Sequence, residues 1–292
     1  MEPFVNLSHT TEGKYQLCCI AITPKTAEYS TDTHTPLEFM NSDYMKTARK
    51  DMISHALSEQ TTLACSGCIK NEATGMQSRR LTQNAKYQNT QTLDTIQRFI
   101  TNPAEELLAA DLQYVNLKML GNICNLKCIM CNPNSSSKIA AEFKKHKITD
   151  IDKTIQTAYN DNSKSGYFAD IAIILENIDR FSLIGGEAFV HPDFDEIFEM
   201  VMNSSNVGNI DLFIITNGTL LPQKVLDNAH RFGRLTLNFS IDGVGDRAAY
   251  IRNGTVWGVY DNNLRRAIAS DAHVTFTVAV QTLNIGYLDE IY

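Results

Sequence analysis

From about residue 110 onward, short β-branched apolar runs alternate with longer stretches whose apolar residues recur at helical spacing, as expected of repeated βα units around a parallel sheet. The runs predict strands over 113–119, 180–184, 211–216, 235–241 and 274–281. Helices are predicted between them, over 136–145, 193–203, 222–232 and 260–269, with a further one over 169–178 before the second strand. Such a series of right-handed crossovers either closes toward a curved barrel or spreads into a doubly wound sheet. The segment 1–86 has a different texture, with a strand-like piece over 15–22 and a helix over 42–57, and is expected to form a small α+β module. Residues 87–109 read as a partly helical connector, and 110–292 as the α/β core. Residues 284–292 read as the opening of a helix that is cut short, so the core is expected to be a fragment that ends after its fifth strand.

Composition narrows the class without naming a function. The 292 residues, 43% hydrophobic and 20% charged, suit one sizeable core with a smaller companion. The net charge of -7 is spread along the chain, which gives no electrostatic footprint for nucleic acid or an anionic membrane surface. The first residues lack a basic stretch followed by an apolar run, and no segment has the apolar length of a membrane span, so a cytoplasmic protein is expected. In that compartment seven cysteines, an odd number, are more naturally metal thiolates than disulfides. They fall in two groups, Cys18, Cys19, Cys65 and Cys68, then Cys124, Cys128 and Cys131.

The second group follows directly on the first predicted strand, in the run Gly121-Asn122-Ile123-Cys124-Asn125-Leu126-Lys127-Cys128-Ile129-Met130-Cys131. Three thiols on a loop at the carboxyl end of a strand occupy the place where α/β barrels set their chemistry. They can wrap one corner of a four-iron cluster, which leaves one iron without a protein thiolate. A zinc site completed by a histidine is the other reading of the spacing, with His146 the nearest candidate, although His146 lies in a lysine-rich helical stretch.

The C-x3-C-x2-C pattern after a first strand resembles the radical S-adenosylmethionine (SAM) superfamily. It departs from the family pattern at Met130, where an aromatic residue is usual; methionine can fill the same apolar role beside a cluster. The resemblance implies a partial (β/α)6 barrel whose Cys124, Cys128 and Cys131 hold a 4Fe-4S cluster and leave one iron to chelate SAM. It further implies reductive cleavage of SAM to a deoxyadenosyl radical that abstracts hydrogen from a substrate.

The later strand ends carry the rest of the resemblance in order: Gly185-Gly186-Glu187, Thr216-Asn217-Gly218 and Ser240-Ile241-Asp242-Gly243. By that likeness Gly185, Gly186 and Glu187 contact the SAM amino group, Asn217 lines the same pocket, and Ser240 and Asp242 approach the ribose. His191 and Pro192 would position the next helix. Arg252 resembles the arginine that clamps the methionyl carboxylate, a task suited to its bidentate fork. Asn284 is a weaker candidate for the adenine side.

For the early cysteines, a C-x2-C turn at Cys65 and Cys68 with distant Cys18 and Cys19 fits zinc or an iron-sulfur cluster equally by spacing. The module resembles a twitch or SPASM-like auxiliary-cluster domain, which favours iron, although such domains usually follow the barrel. The resemblance implies a peptide or protein substrate first and a sugar or nucleoside derivative second, with a flavodoxin or ferredoxin as electron donor. The alternatives are a zinc-stabilised binding protein and a non-catalytic family member that binds a cluster without releasing deoxyadenosine.

Overall fold

The computed structural model describes residues 1–22, 29–148 and 161–291. The chain divides into two compact units, Met1–Leu117 with Tyr159–Asp179, and Lys118–Ala158 with Arg180–Tyr292. This division differs from the expected boundaries. The first unit takes in the connector and most of the first core strand, because those segments pack with the amino-terminal elements.

In the first unit, β1 (Asn6–His9) pairs antiparallel with β2 (Tyr15–Gln16) and parallel with β3 (Tyr114–Lys118), in the register Asn6 to Tyr114 and Ser8 to Asn116. β1 is missed by the sequence reading, and the strand-like piece at 15–22 shrinks to two residues. Around these strands lie the helices Asp43–Ser54 and Thr90–Thr101 and three shorter ones between them. Their starts are marked by side-chain caps: Ser42, Ser58, Ser78 and Asn89 each accept a backbone N–H from the first turn. Tyr15 and Phe39 stack at 4.5 Å in the core of this unit, and the buried His9 is hydrogen-bonded to the Tyr167 hydroxyl at 2.8 Å.

In the second unit, β4 (Lys127–Cys128) lies in the cysteine loop, and β5 (Arg180–Ile184), β6 (Asp211–Thr216) and β7 (Arg234–Ser240) follow. β8 (Arg252–Asn253) and β9 (His273–Thr277) complete the set. β5, β6, β7 and β9 form a parallel sheet in that order, as the repeated βα pattern predicts. The helices Phe194–Asn203, Gln223–Asp227 and Trp257–Ile268 are the crossovers. Leu212, Ile214, Leu235, Leu237 and Phe239 are at most 1% exposed, and burial of each such side chain stabilises the unit by about 1.5–3 kcal/mol. Residues 285–290 form a 3-10 turn interrupted at Tyr287 rather than the start of an α-helix; Tyr292 lies outside the described residues.

A two-stranded ribbon, β4 against β8, is an addition that the sequence does not announce. It is antiparallel, with Lys127 opposite Asn253 and Cys128 opposite Arg252. The Ile129 N–H extends it to the Ile251 carbonyl at 2.9 Å.

Candidate active site

The cysteine loop is fixed by the helix Ser137–Lys145 that follows it. The Ser136 hydroxyl, buried at the helix cap, donates to the Leu126 carbonyl at 2.6 Å and accepts from the Ile139 N–H. Ser137 reaches Cys124 twice: its hydroxyl accepts from the Cys124 N–H at 3.3 Å and donates to the Cys124 carbonyl at 3.1 Å. Asn122 spans the loop to the Pro133 carbonyl at 2.7 Å. These bonds pin the loop's backbone, and the three thiols it carries are half-buried.

The loop after β5 is pressed against this one. Gly186 has φ +40, and a Cβ there would stand 2.1 Å from the Ile123 carbonyl oxygen, so only glycine permits the approach. Directly beside it the Glu187 N–H donates to the same carbonyl at 2.8 Å. His191, 5% exposed, adds a second fastening: it donates from Nε2 to the Leu120 carbonyl at 2.7 Å, the tautomer being assigned from the Asp193 N–H that Nδ1 accepts. His191 therefore ties β5 to the entrance of the cysteine loop, besides leading into the next helix.

The Glu187 carboxylate is spent inside the protein. It accepts from the Thr216 hydroxyl at 2.8 Å, the Asn217 N–H at 2.6 Å and the Phe189 N–H at 3.2 Å. Burial nevertheless raises its pKa to about 7, because three donors only partly replace lost hydration. Its geometry is that of a clamp between the ends of β5 and β6.

Asn217 continues the chain of contacts back to the thiols. Its Nδ2 donates to Asn125 Oδ1 at 2.8 Å and stands 4.0 Å from Cys124 Sγ, and its Oδ1 accepts from the Thr219 hydroxyl at 2.7 Å. Asn125 closes the ring by donating to Thr219 at 2.8 Å. Asn125 and Thr219 were not singled out from sequence; the signal was Asn125 lying between two of the cysteines.

Cys128 and Arg252 meet through the ribbon. Burial pushes the Cys128 thiol up to about 11, Arg252 is the cation that opposes the rise, and Cys124 and Cys131 add to it, so the three sulfurs lie within one another's field. Burial likewise raises Cys124. Arg252 Nε lies 2.7 Å from Asp242 Oδ2, which is fully buried. The ion pair is off the line of a hydrogen bond, so both atoms keep unfilled hydrogen-bonding capacity. Asp242 Oδ1 accepts from the Ala279 N–H at 2.7 Å, and buried Asn284 donates to the Asp242 and Ala279 carbonyls. Asn284 thus holds the segment after β9 beneath Asp242. Ser240, half-buried at the end of β7, accepts through its carbonyl from the Tyr260 hydroxyl at 3.5 Å.

Three half-buried thiols on one short loop, within one another's field, are a donor set that an iron-sulfur cluster can use. Among the described residues no three His, Cys, Asp or Glu side chains are set to hold one metal ion. Thiolates of a cluster each bind a different iron and need not converge on one point. His146 is exposed at the end of its helix. Met130, expected beside the cluster, is 39% exposed.

The early cysteines lie in the first unit. Cys18, Cys65 and Cys68 line one cleft with Met1, Arg79, Arg80 and Asn84, whereas Cys19 is not part of its wall. Cys65 caps the helix Ser66–Ala73 and Cys68 lies in its first turn. Burial pushes the Cys18 thiol up to about 12.

Against solved structures, the chain resembles "Native anSMEcpe with bound AdoMet and Kp18Cys peptide", with 16% identity, a TM-score of 0.42, and coverage of 59% of this chain and 44% of that one. It also resembles "Native anSMEcpe with bound AdoMet", with 16% identity, a TM-score of 0.44, and coverage of 59% and 45%. The chain therefore spans less than half the length of these solved chains. No curated protein matches it. The family model described as "Radical SAM superfamily" matches residues 119–292, the stretch that carries the cysteine loop, the clamp at Glu187 and the Cys128–Arg252 ribbon, and the chain belongs to that superfamily.

Proposed function

We propose that this radical SAM enzyme binds a 4Fe-4S cluster at Cys124, Cys128 and Cys131 and uses it to cleave SAM reductively. The observation that carries the reading is the fastening of the cysteine loop to the ends of β5 and β6 through Ile123, Glu187 and Asn217. When bound, the cluster and SAM supply a deoxyadenosyl radical that takes a hydrogen atom from the substrate.

The protein's own part is to bind and orient. Gly185 and Gly186 expose backbone toward the SAM amino group, and Glu187 holds that backbone in place from below. Arg252, oriented by Asp242, offers its remaining N–H groups to the methionyl carboxylate. Ser240 and Asn217 line the sugar side.

The substrate we assign is a peptide or protein, on the likeness of the early cysteines to an auxiliary-cluster module. Cys18, Cys65 and Cys68 would hold that second cluster, with Arg79 and Arg80 offsetting its negative charge. The electron donor is of the flavodoxin or ferredoxin class, and the site of action is the cytoplasm. Among the described residues no helix is long and apolar enough to cross a membrane.

The test is deoxyadenosine release from SAM under a strong reductant after anaerobic reconstitution. Release is expected from the native chain and not from the variant with Cys124, Cys128 and Cys131 changed to alanine; equal release from both sinks the assignment. Iron analysis addresses the second cluster: about eight iron atoms per chain are expected, falling to about four when Cys18, Cys65 and Cys68 are replaced.

A further inference from the structure

Residues 127–147, which run from the cysteine loop into the helix Ser137–Lys145, hold five lysines and a single acid in a chain whose net charge is -7. Lys127 lies between Cys124 and Cys128, and its Nζ pairs with Glu142 of that helix at 2.9 Å. The pair shows which face of the helix lies alongside the loop. Lys138 and Lys145, four residues before Glu142 and three after it, share that face. The electrostatics agree: the Glu142 carboxyl is held below the usual carboxylate range by Lys127 first, with His146 and Lys145 adding to the effect.

Lys138, Lys145 and Lys147 are exposed, and none of them forms an ion pair among the described residues. Helix stability accounts for only part of this set. Lys145, in the last turn, complements the negative end of the helix dipole, whereas Lys138, in the first turn, works against the positive end.

Beside these charges Ile129, the residue after Cys128, is 50% exposed. An apolar point with a charged margin, next to the thiols, has the composition of a small and transient protein contact. The sign of the margin selects the partner, since a basic surface attracts an acidic protein and speeds its encounter.

We propose that the lysine face of the helix Ser137–Lys145, together with Lys127 and Ile129, is where an acidic one-electron carrier protein docks to reduce the cluster at Cys124, Cys128 and Cys131. One electron leaves the reduced carrier and enters the cluster, and no bond is made or broken in that step. The inference rests on the cluster reading given above and names the surface through which that cluster is supplied.

Two acidic carriers, a flavodoxin and a plant-type ferredoxin, titrated by calorimetry into the reconstituted full chain, test it. Saturable binding of at least one is expected, weakening steeply as salt rises from about 50 to 300 mM. Lys138→Gln with Lys145→Gln removes two positive charges and should weaken binding by roughly 3- to 30-fold. Arg234→Glu makes the same change in net charge at the exposed amino end of β7, the end of the sheet away from the cysteine loop, and should change affinity by less than about twofold. Deoxyadenosine release driven by the reduced carrier should fall in the lysine variant, while release driven by dithionite should match the native chain. The dithionite arm keeps the two readings apart: no release from the native chain counts against the SAM reading and leaves the titration to be read by itself. Absence of saturable binding of both carriers, equal weakening in the lysine and Arg234 variants, or tighter binding of single-stranded RNA than of either carrier at these lysines overturns the docking surface.

Discussion

Cys128 and Arg252, 124 positions apart, are direct register partners in the β4–β8 ribbon. The pairing sets a cation beside a half-buried thiol, and the same cation rests on the buried carboxylate of Asp242. In the proposed reading the same arginine serves both the sulfur and SAM.

Arg252→Gln is expected to raise the Kd for SAM by roughly 10- to 100-fold, the worth of a charge-assisted bidentate contact. Arg252→Lys should fall between the two, since the charge survives and the fork does not. Equilibrium dialysis of the reconstituted protein measures it; unchanged affinity in both variants removes Arg252 from the SAM site.

Gly186→Ala should displace the cysteine loop, because the added Cβ meets the Ile123 carbonyl oxygen at 2.1 Å. A loss of roughly 2–4 kcal/mol is expected, with lowered iron retention. Gly258→Ala is the control: nothing lies within 4 Å of a Cβ there, and the position is helical, so stability should hold or rise slightly. Denaturant unfolding and iron content compare the two.

Glu187 gives the apo protein a pH signature. Its pKa rises from 4.5 to about 7 on folding, so the folded state binds the proton more tightly than the unfolded state. The associated stability is present below pH 4.5 and is lost as pH rises through about 7. The loss amounts to about 3 kcal/mol at most. Glu187→Gln should abolish this slope even if it lowers stability overall. Urea unfolding of both proteins between pH 5 and 8 reads it, and parallel curves for the two contradict the raised pKa of Glu187.

Asn217→Ala should make the cluster's midpoint potential more negative. The amide N–H aimed at Cys124 Sγ stabilises the more negative, reduced cluster, and its removal also loosens Asn125 and Thr219. Potentiometric titration followed by electron paramagnetic resonance tests the direction; a shift to higher potential argues against the contact.

Much of the sheet was legible because buried parallel strands are written as near-continuous apolar runs. β5 and β6 have the predicted bounds, and β7 differs by one residue at each end. β1 was not legible, since its near partner β2 is only two residues long, its parallel partner β3 lies more than a hundred residues away, and its four residues have no distinctive period. The two-residue strands β4 and β8 escaped for the same reason: each is defined only by the other. In the site, the residue types and their order could be read, but the allocation of Glu187 could not. An acid after two glycines looks the same whether it faces a ligand or turns inward, and only the donors at Thr216, Asn217 and Phe189 show that it turns inward.

The contact between Gly186 and Ile123 bears on how the protein acquires its metal. Two backbone segments more than sixty residues apart must meet before the cysteine loop has its shape, and contacts of such separation form late in folding. A peptide cut from the loop alone would carry the three thiols without the surface that disciplines them. In the proposed reading, the loop presents its three thiols to iron and sulfide in their final arrangement only once that long circuit has closed.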